Sequence, residues 1–177
     1  MAMDILLIID MQESSFSKSD KYDSAGVIER INQLSEHVRQ DGGEIIFIQH
    51  DGEEDEGLRP FTPGWAILSS LIQHESDIFI RKTTNDAFYK TGLNQHLKNF
   101  DDVRLIVSGW ATDFCVDTTL RAAVSLGHKI AVASDCHTVS DRPHLKAKQV
   151  IEHHNWIWKN MLTPNEAVNV LPLAKLW

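Results

Sequence analysis

Residues 103–122 read VRLIVSGWATDFCVDTTLRA, and this stretch decides the fold around which the rest of the chain is arranged. The apolar run at 105–107 predicts a buried strand, and the Ser108-Gly109 pair predicts a tight turn directly after it. A helical pattern then begins and carries Cys115 in its first turn. A buried strand that leads through a turn into a helix is the repeating unit of α/β proteins.

Cys115 is a candidate nucleophile because of its place at the start of a helix. Unpaired backbone N–H groups and the positive end of the helix dipole favour a thiolate there, so we expect a lowered pKa for this thiol. The alternative for a lone cysteine is a buried structural residue. The rest of the chain has to distinguish these two interpretations.

Composition and charge indicate the class of partner. A chain of 177 residues with 42% hydrophobic and 24% charged content fits one globular domain, which we assign to residues 1–177. The formal net charge is −8, and no cluster of basic residues offsets it. This argues against a surface that binds nucleic acid or an anionic membrane. We therefore expect a small-molecule partner.

The N-terminal sequence and the cysteine content indicate the compartment. The first ten residues, MAMDILLIID, contain no basic segment and only a short apolar run, so they predict neither a signal peptide nor a membrane span. Cys115 and Cys136 fit neither a disulfide framework nor a CxxC motif. We expect a cytoplasmic protein whose two thiols are both free.

Apolar runs alternate with helical patterns along the chain. Strands are predicted at 5–9, 44–49, 77–80, 105–107, 129–133 and, at the sheet edge, 157–162. Helices are predicted from 24 to the glycines at 42 and 43, at 65–72, up to about residue 100, from 115 to 127, at 143–154, and after a capping box at 163–166. This alternation predicts an α/β fold, namely a three-layer, doubly wound, mainly parallel six-stranded sheet.

The segment HDGEEDEGLRPFTPG, residues 50–64, interrupts this alternation. It contains five acidic residues, three glycines and two prolines, a composition typical of a solvated loop. A lid over a site is the alternative for this loop.

Three chemically suitable residues follow the predicted strands. Ligands of such sheets bind beyond the carboxyl ends of the strands, where Asp10, Lys82 and Cys115 should meet. Lys82 would favour the thiolate, while Asp10 would accept the thiol proton and later activate water. Singly, Asp10 could cap a turn and Lys82 could be a surface lysine. Their coincidence at three strand ends favours a catalytic site.

Sequence excludes two rival site types. DMQESSF follows the first strand, so neither a GxGxxG nor a GxxxxGK[ST] pattern stands there. We expect neither hydride transfer nor phosphoryl transfer.

Several segments together resemble a known group of enzymes. LLIIDMQ at 6–12, Lys82 followed by DAF at 86–88, and GWATDFCVDTTLRAA at 109–123 resemble three signature regions of the isochorismatase-like cysteine hydrolase superfamily. SDCHTVSD at 134–141 and IEHHN at 151–155 are similar to it as well. The similarity covers nearly the whole chain, and its specific part is the block that contains Cys115.

The resemblance implies a fold and a mechanism. It implies the isochorismatase-like hydrolase fold and a triad of Asp10, Lys82 and Cys115 that forms and hydrolyses a covalent acyl-enzyme. It also implies a cis peptide bond between Trp110 and Ala111, with the N–H groups of Ala111 and Cys115 as the oxyanion hole. A homodimer or homotetramer is the assembly that it implies.

Departures from the superfamily pattern concern a metal site. Nicotinamidases of the superfamily are expected to carry an Asp-x-His cluster after the second strand, where this chain has Gln49-His50-Asp51. The next histidine along the chain is His74. Since a stable metal site needs three or four ligands, we expect no metal and no cofactor, and nicotinamide is disfavoured as substrate.

Aromatic residues near the same sheet edge are candidates for the substrate pocket, and core packing is the alternative for each. They are Phe16, Trp65, Phe88, Trp110 and Phe114. Trp110 replaces a smaller Val or Ile of the superfamily, so it either narrows the pocket or packs under the cysteine helix.

The sequence thus predicts a cysteine hydrolase that cleaves a small amide or a related acyl compound at a C–N bond. One alternative is a catalytically silent member of the fold that binds a metabolite or a protein. Another is a thiol sensor in which Cys115 is oxidised.

Overall fold

Six strands and five α-helices alternate along residues 2–176, which are the residues that the computed structural model describes. The strands are β1 (Met3–Ile9), β2 (Glu44–His50), β3 (Ile78–Lys82), β4 (Val103–Trp110), β5 (Lys129–Thr138) and β6 (Asn169–Leu171). The helices are α1 (Glu13–Ser17), α2 (Ser24–Gln40), α3 (Leu93–Leu97), α4 (Asp117–Ser125) and α5 (Ala147–Lys159). A π-helical turn, Thr112–Val116, joins β4 to α4, and a 3-10 turn, Leu173–Lys175, follows β6.

All strand pairs of the sheet are parallel. The strand order is β3-β2-β1-β4-β5-β6, so the chain winds outward from the centre in both directions. This arrangement confirms the predicted doubly wound, parallel six-stranded sheet. Because β1 and β4 are central neighbours, the residues that follow them emerge side by side at one edge.

Apolar side chains cover both faces of the sheet and make it the middle layer of three. Along β1, Ile5, Leu7 and Ile9 face a cluster formed with α3, α4 and Trp158 of α5. Leu6 and Ile8 face the opposite cluster, formed with α2 and the loop that contains Leu68 and Leu71. The continuous apolar run of β1 is therefore explained by burial on both sides, as expected of a parallel sheet.

The predicted strand at 157–162 is wrong, because α5 continues to Lys159. Ile157, Trp158 and Met161 all pack against the same apolar cluster, which is the spacing of a helix and not the alternation of a strand. The edge strand is β6 instead, where Ala131 of β5 pairs with Asn169. α5 also begins at Ala147, later than predicted.

Two further predicted helices are wrong. Ile67 forms an isolated antiparallel bridge with Gln12, and Leu68 N–H donates to Met11 O at 2.9 Å, so the segment 65–72 packs as a loop. The segment 163–166 is a turn in which the Thr163 hydroxyl donates to Glu166 O at 2.7 Å. In both segments the side chains that gave the helical pattern do pack or form hydrogen bonds, but they do so in a loop or turn and not in a helix.

Gly109 allows β4 to end close to β1. Its φ is +113°, and a β-carbon at this position would overlap the carbonyl oxygen of Ile9. Only glycine accommodates both conditions without strain. The backbone that leads to Cys115 is thereby held directly against the backbone that leads to Asp10.

No helix within residues 2–176 is long and apolar enough to cross a membrane.

Candidate active site

Lys82 is the last residue of β3 and lies fully buried at the carboxyl edge of the sheet. Its Nζ donates to Asp10 Oδ2 at 2.6 Å, to the Thr84 carbonyl oxygen at 2.9 Å and to Cys115 Sγ at 3.4 Å. These three contacts use all three donors of the ammonium group. One cation therefore touches both the carboxylate and the sulfur.

Asp10 follows β1 and is 1% exposed. Its φ of +50° is unusual for a residue other than glycine, and its N–H donates to Ile48 O of β2 at 2.9 Å. Oδ2 accepts from Lys82, whereas Oδ1 is buried and has no hydrogen-bond partner within the described residues. The carboxylate therefore keeps one oxygen free to accept a proton.

Cys115 lies in the π-helical turn Thr112–Val116 and is 8% exposed. Its thiol lies 3.5 Å from Asn85 Oδ1, to which it donates, in addition to its contact with Lys82. Thr119 of α4 holds the Asn85 loop, since its hydroxyl donates to Asn85 O at 3.2 Å. Three separate segments thus meet around the sulfur.

The expected lowering of the thiol pKa is wrong. Burial and the charge of Asp10 together raise the pKa of Cys115 to about 12, because Lys82 only partly opposes them. Burial also raises the pKa of Asp10, again against the effect of Lys82. Cys115 is therefore a thiol at neutral pH, and a proton acceptor has to accompany any attack by its sulfur.

The turn that carries Cys115 is fixed from two sides. The peptide bond between Trp110 and Ala111 is cis. Thr112 Oγ1 and His137 Nδ1 lie 2.9 Å apart, and His137 Nε2 lies 3.0 Å from Asn155 Oδ1 of α5. Burial lowers the pKa of His137 to about 4, so this connecting residue is neutral at physiological pH.

A cavity of about 240 Å³ opens beside the sulfur. Five of the predicted catalytic, oxyanion-hole and pocket residues line it, namely Asp10, Trp110, Ala111, Phe114 and Cys115. The others are Ser15, His50, Glu56, Leu58, Asn85 and Arg142. The larger concavity near Glu13 and Arg59 is a more open surface groove that lacks the cysteine.

Unpartnered polar atoms are concentrated in residues that line this cavity. Five buried side-chain nitrogen or oxygen atoms in the described part of the chain lack a hydrogen-bond partner, and four belong to residues that line it. These four are Asp10 Oδ1, Ser15 Oγ, His50 Nδ1 and Trp110 Nε1. Because buried polar atoms are nearly always paired, this concentration indicates a site for a polar ligand.

Comparison with known proteins identifies the family of the chain. The sequence profile of the isochorismatase domain matches residues 4–162. The chain belongs to the isochorismatase family. A solved isochorismatase family protein superimposes on it with a TM-score of 0.86 at 36% identity, over 96% of this chain and 99% of the other.

Two curated relatives of this isochorismatase-family protein carry names that state an activity. One is a streptothricin hydrolase of Streptomyces noursei, 31% identical over 78% of this chain and 50% of the relative. The other is a ureidoacrylate amidohydrolase of Methylorubrum extorquens, 27% identical over 66% of this chain and 62% of the relative. The matched regions thus span only about half to three fifths of these two proteins.

Three of the predicted pocket residues lie outside the cavity wall of this isochorismatase-family protein. Phe16 packs edge-on against Trp110, with ring centroids 6.5 Å apart. Trp65 donates its indole N–H to Asp51, and Phe88 packs in the core with its ring 5.7 Å from that of His128. Their side chains are instead committed to contacts with other residues.

Sequence reasoning missed most of the polar wall. Asn85 stands three residues after Lys82. Its place just beyond the carboxyl end of β3, where ligands of such sheets bind, was the available signal for it. Ser15 stands three residues after the last residue of the DMQ motif, so its closeness to that motif was the available signal for it. Arg142 gave no signal, because nothing local predicts that its guanidinium binds Asp113 with two hydrogen bonds of 2.6 and 2.8 Å.

His50 and Asp51 point to different partners in this isochorismatase-family protein. Asp51 binds Arg81, with both carboxylate oxygens within 3.0 Å of Arg81 Nε, while His50 faces the cavity. No group of three or more His, Cys, Asp or Glu side chains within residues 2–176 is arranged to hold a metal ion.

Proposed function

We propose that this protein is a cysteine hydrolase that cleaves the C–N bond of small amides through a covalent intermediate on Cys115. The observation that carries the proposal is the contact of one buried lysine with both Asp10 and Cys115, at 2.6 and 3.4 Å. A cavity with unpartnered polar atoms opens directly beside the sulfur. The nucleophile, the general base and a cavity for the substrate therefore lie next to one another.

The first step forms an acyl-enzyme. Asp10 Oδ1 accepts the thiol proton as Sγ attacks the carbonyl carbon of the amide, which makes a tetrahedral oxyanion. Collapse of this intermediate breaks the C–N bond, and the protonated Asp10 delivers its proton to the leaving nitrogen. A thioester on Cys115 and a free amine or ammonia remain.

The second step hydrolyses the thioester. Asp10 takes a proton from a water molecule, whose oxygen attacks the thioester carbonyl carbon, and the C–S bond then breaks. The sulfur regains a proton, and a carboxylic acid leaves. Lys82 keeps its hydrogen bond to Asp10 Oδ2 throughout, so its positive charge balances the Asp10 carboxylate or, while Asp10 is protonated, the oxyanion.

The oxyanion requires donors at the cavity wall. Ala111 and Cys115 both line the cavity, and their backbone N–H groups are the donors that we propose. Such preorganised donors typically account for about a hundredfold to a thousandfold in rate when one is removed.

The relatives support a hydrolase over a thiol sensor. Their printed names describe a hydrolase and an amidohydrolase, and an amide substrate suits a cavity lined by polar groups. A redox-sensing cysteine needs a low pKa and ready access, whereas burial raises the pKa of Cys115 to about 12. The homodimer or homotetramer stays a prediction, and light scattering in solution tests it by measuring the molar mass of the assembly.

Ammonia release from a panel of small amides tests the proposed function. We expect release from at least one amide, and a loss of roughly a thousandfold or more in both Cys115→Ala and Asp10→Asn. Cys136→Ala is the matched control, because Cys136 is fully buried outside the cavity and should retain activity. Equal activity of Cys115→Ala and the wild type would overturn the proposal.

A further inference from the structure

Three residues of the cavity wall each carry an unpartnered buried atom that has no part in the proposed mechanism. These atoms are Ser15 Oγ, His50 Nδ1 and Trp110 Nε1, each buried without a hydrogen-bond partner within the described residues. All three belong to residues that line the cavity beside Cys115. Because burial of an unpaired polar atom is unfavourable, a ligand that pairs with these atoms gains affinity at this position.

We propose that Ser15, His50 and Trp110 are the specificity-determining residues, and that the substrate is a compact amide with a second polar group and no carboxylate. This inference rests on the proposed function, because it concerns the substrate of the same site.

Hydrogen bonding requires the second polar group. An indole N–H only donates, whereas a serine hydroxyl and a neutral imidazole nitrogen serve either role. In the proposed mechanism, Ala111 and Cys115 already bind the oxygen of the carbonyl under attack. Trp110 therefore needs another acceptor, such as a second carbonyl or a hydroxyl on the same small molecule.

Charge disfavours a carboxylate at this second position. Lys82 is bound to Asp10, and the Arg142 guanidinium is bound to Asp113 through two hydrogen bonds. Glu56 brings a carboxylate to the wall and takes part in none of the ion pairs found within residues 2–176. An anionic ligand would meet this charge, while the Arg142 guanidinium of the wall and the nearby Lys82 are each already paired with a carboxylate.

His50 and Lys21 lie near the second position and do not supply a positive charge there. Burial and the nearby Lys82 lower the pKa of His50, so its ring is neutral at physiological pH. Lys21 lies over the Trp110 ring, 5.1 Å from the centroid, outside the cavity wall, and donates to Ser19 O and Oγ. Neither group supplies an uncommitted cation inside the cavity.

The volume sets the size of the substrate. A cavity of about 240 Å³ corresponds to about eight non-hydrogen atoms at the packing of liquid water. Succinamide has this size and carries a second carboxamide. 4-Methylpentanamide has the same shape with methyl groups in place of the second carboxamide, and succinamate replaces that group by a carboxylate.

Calorimetric binding of these three compounds to the Cys115→Ala protein tests the inference. We expect succinamide to bind at least about tenfold more tightly than 4-methylpentanamide, because the latter leaves the wall atoms unpaired. We expect a similar preference over succinamate. Adding Glu56→Gln should improve succinamate binding, whereas Glu54→Gln, outside this cavity, should not.

A second variant isolates the indole donor. Trp110→Phe, in the same Cys115→Ala background, should weaken succinamide binding about tenfold and leave 4-methylpentanamide binding within about twofold. Unchanged binding of the apolar compound shows that the cavity is still folded. Trp156→Phe is the matched control, because Trp156 is 65% exposed on α5, away from the cavity.

The inference is overturned if the apolar or the anionic compound binds as tightly as succinamide, if none binds, or if Trp110→Phe weakens succinamide and the apolar compound equally. Ammonia release by the wild type is read in parallel. Selective succinamide binding without ammonia release supports the recognition residues and contradicts the amidase proposal. Ammonia release without selective binding of succinamide supports the amidase proposal and contradicts the recognition residues.

Discussion

Lys82 Nζ lies 2.6 Å from Asp10 Oδ2, and both side chains are almost completely buried. A buried pair of this kind contributes little net stability, yet removal of one partner leaves an uncompensated charge in the interior. This asymmetry determines how the pair responds to mutation.

Lys82→Met should therefore lower the free energy of unfolding by about 3 to 5 kcal/mol. The double variant Lys82→Met/Asp10→Asn should regain a large part of that loss, since neither charge remains buried alone and asparagine tolerates the positive φ of this position. Urea unfolding of the two single variants and the double variant measures this coupling. Purely additive losses would contradict a coupled pair.

Alkylation by iodoacetamide reports the protonation state of Cys115. Because the thiol pKa is raised to about 12, the rate should increase about tenfold per pH unit between about pH 7 and about pH 9. Asp10→Asn removes a charge that raises this pKa, so it should alkylate faster at neutral pH.

Cys136 is the internal control for this alkylation experiment. It is fully buried, and burial raises its pKa as well, so it should stay unmodified while the protein is folded. Peptide mass mapping distinguishes the two cysteines. A rate at Cys115 that levels off below about pH 8 would show an activated thiolate and contradict the raised pKa.

Gly109 connects the fold to the site, and its replacement should be severe. Gly109→Ala places a β-carbon against the Ile9 carbonyl oxygen at a φ of +113°, so we expect a loss of at least about 3 kcal/mol in unfolding free energy. Gly92→Ala is the matched control. Its φ is −80° and no atom lies within 4 Å of the added carbon, so its stability should change by less than about 1 kcal/mol. Similar unfolding midpoints for the two variants would contradict this account.

His137 should make the stability depend on pH. Its pKa is about 4 in the folded protein against an ordinary value of 6.5, so the unfolded chain binds the additional proton between these values. Stability is therefore greatest above about pH 6.5 and declines as the pH falls toward about 4, by about 3 kcal/mol from this residue.

Urea unfolding at several pH values measures that decline. His137→Gln should be less stable overall but should show a smaller decline, because a glutamine does not titrate. His153→Gln, at an exposed position of α5, should retain the decline of the wild type. An identical pH dependence in His137→Gln and the wild type would contradict the assignment.

The parallel sheet could be predicted because its central strands carry unbroken apolar runs, as at Ile5–Ile9 and 105–107. Such runs are diagnostic where both faces are covered. The edge was harder to predict. β6 has only three residues, and the competing segment at 157–162 is apolar because Trp158 and its neighbours extend a helix face.

The meeting of Asp10, Lys82 and Cys115 was predictable because each follows a strand, and strand ends share an edge. The raised thiol pKa was not. It depends on how completely packing removes water from the sulfur, and the charges of Asp10 and Lys82 act on it with opposite signs. Arg142 could not be predicted either, since its place in the wall follows from a tertiary contact with Asp113.

The covalent intermediate on Cys115 is tested most directly by product partitioning with hydroxylamine. Two amides with the same acyl group and different amine leaving groups are hydrolysed in its presence, and the ratio of hydroxamate to carboxylic acid is measured. A common acyl-enzyme predicts the same ratio for both amides at each hydroxylamine concentration, with no products from Cys115→Ala. Ratios that differ between the two leaving groups would contradict a shared intermediate and, with it, the nucleophilic role of Cys115.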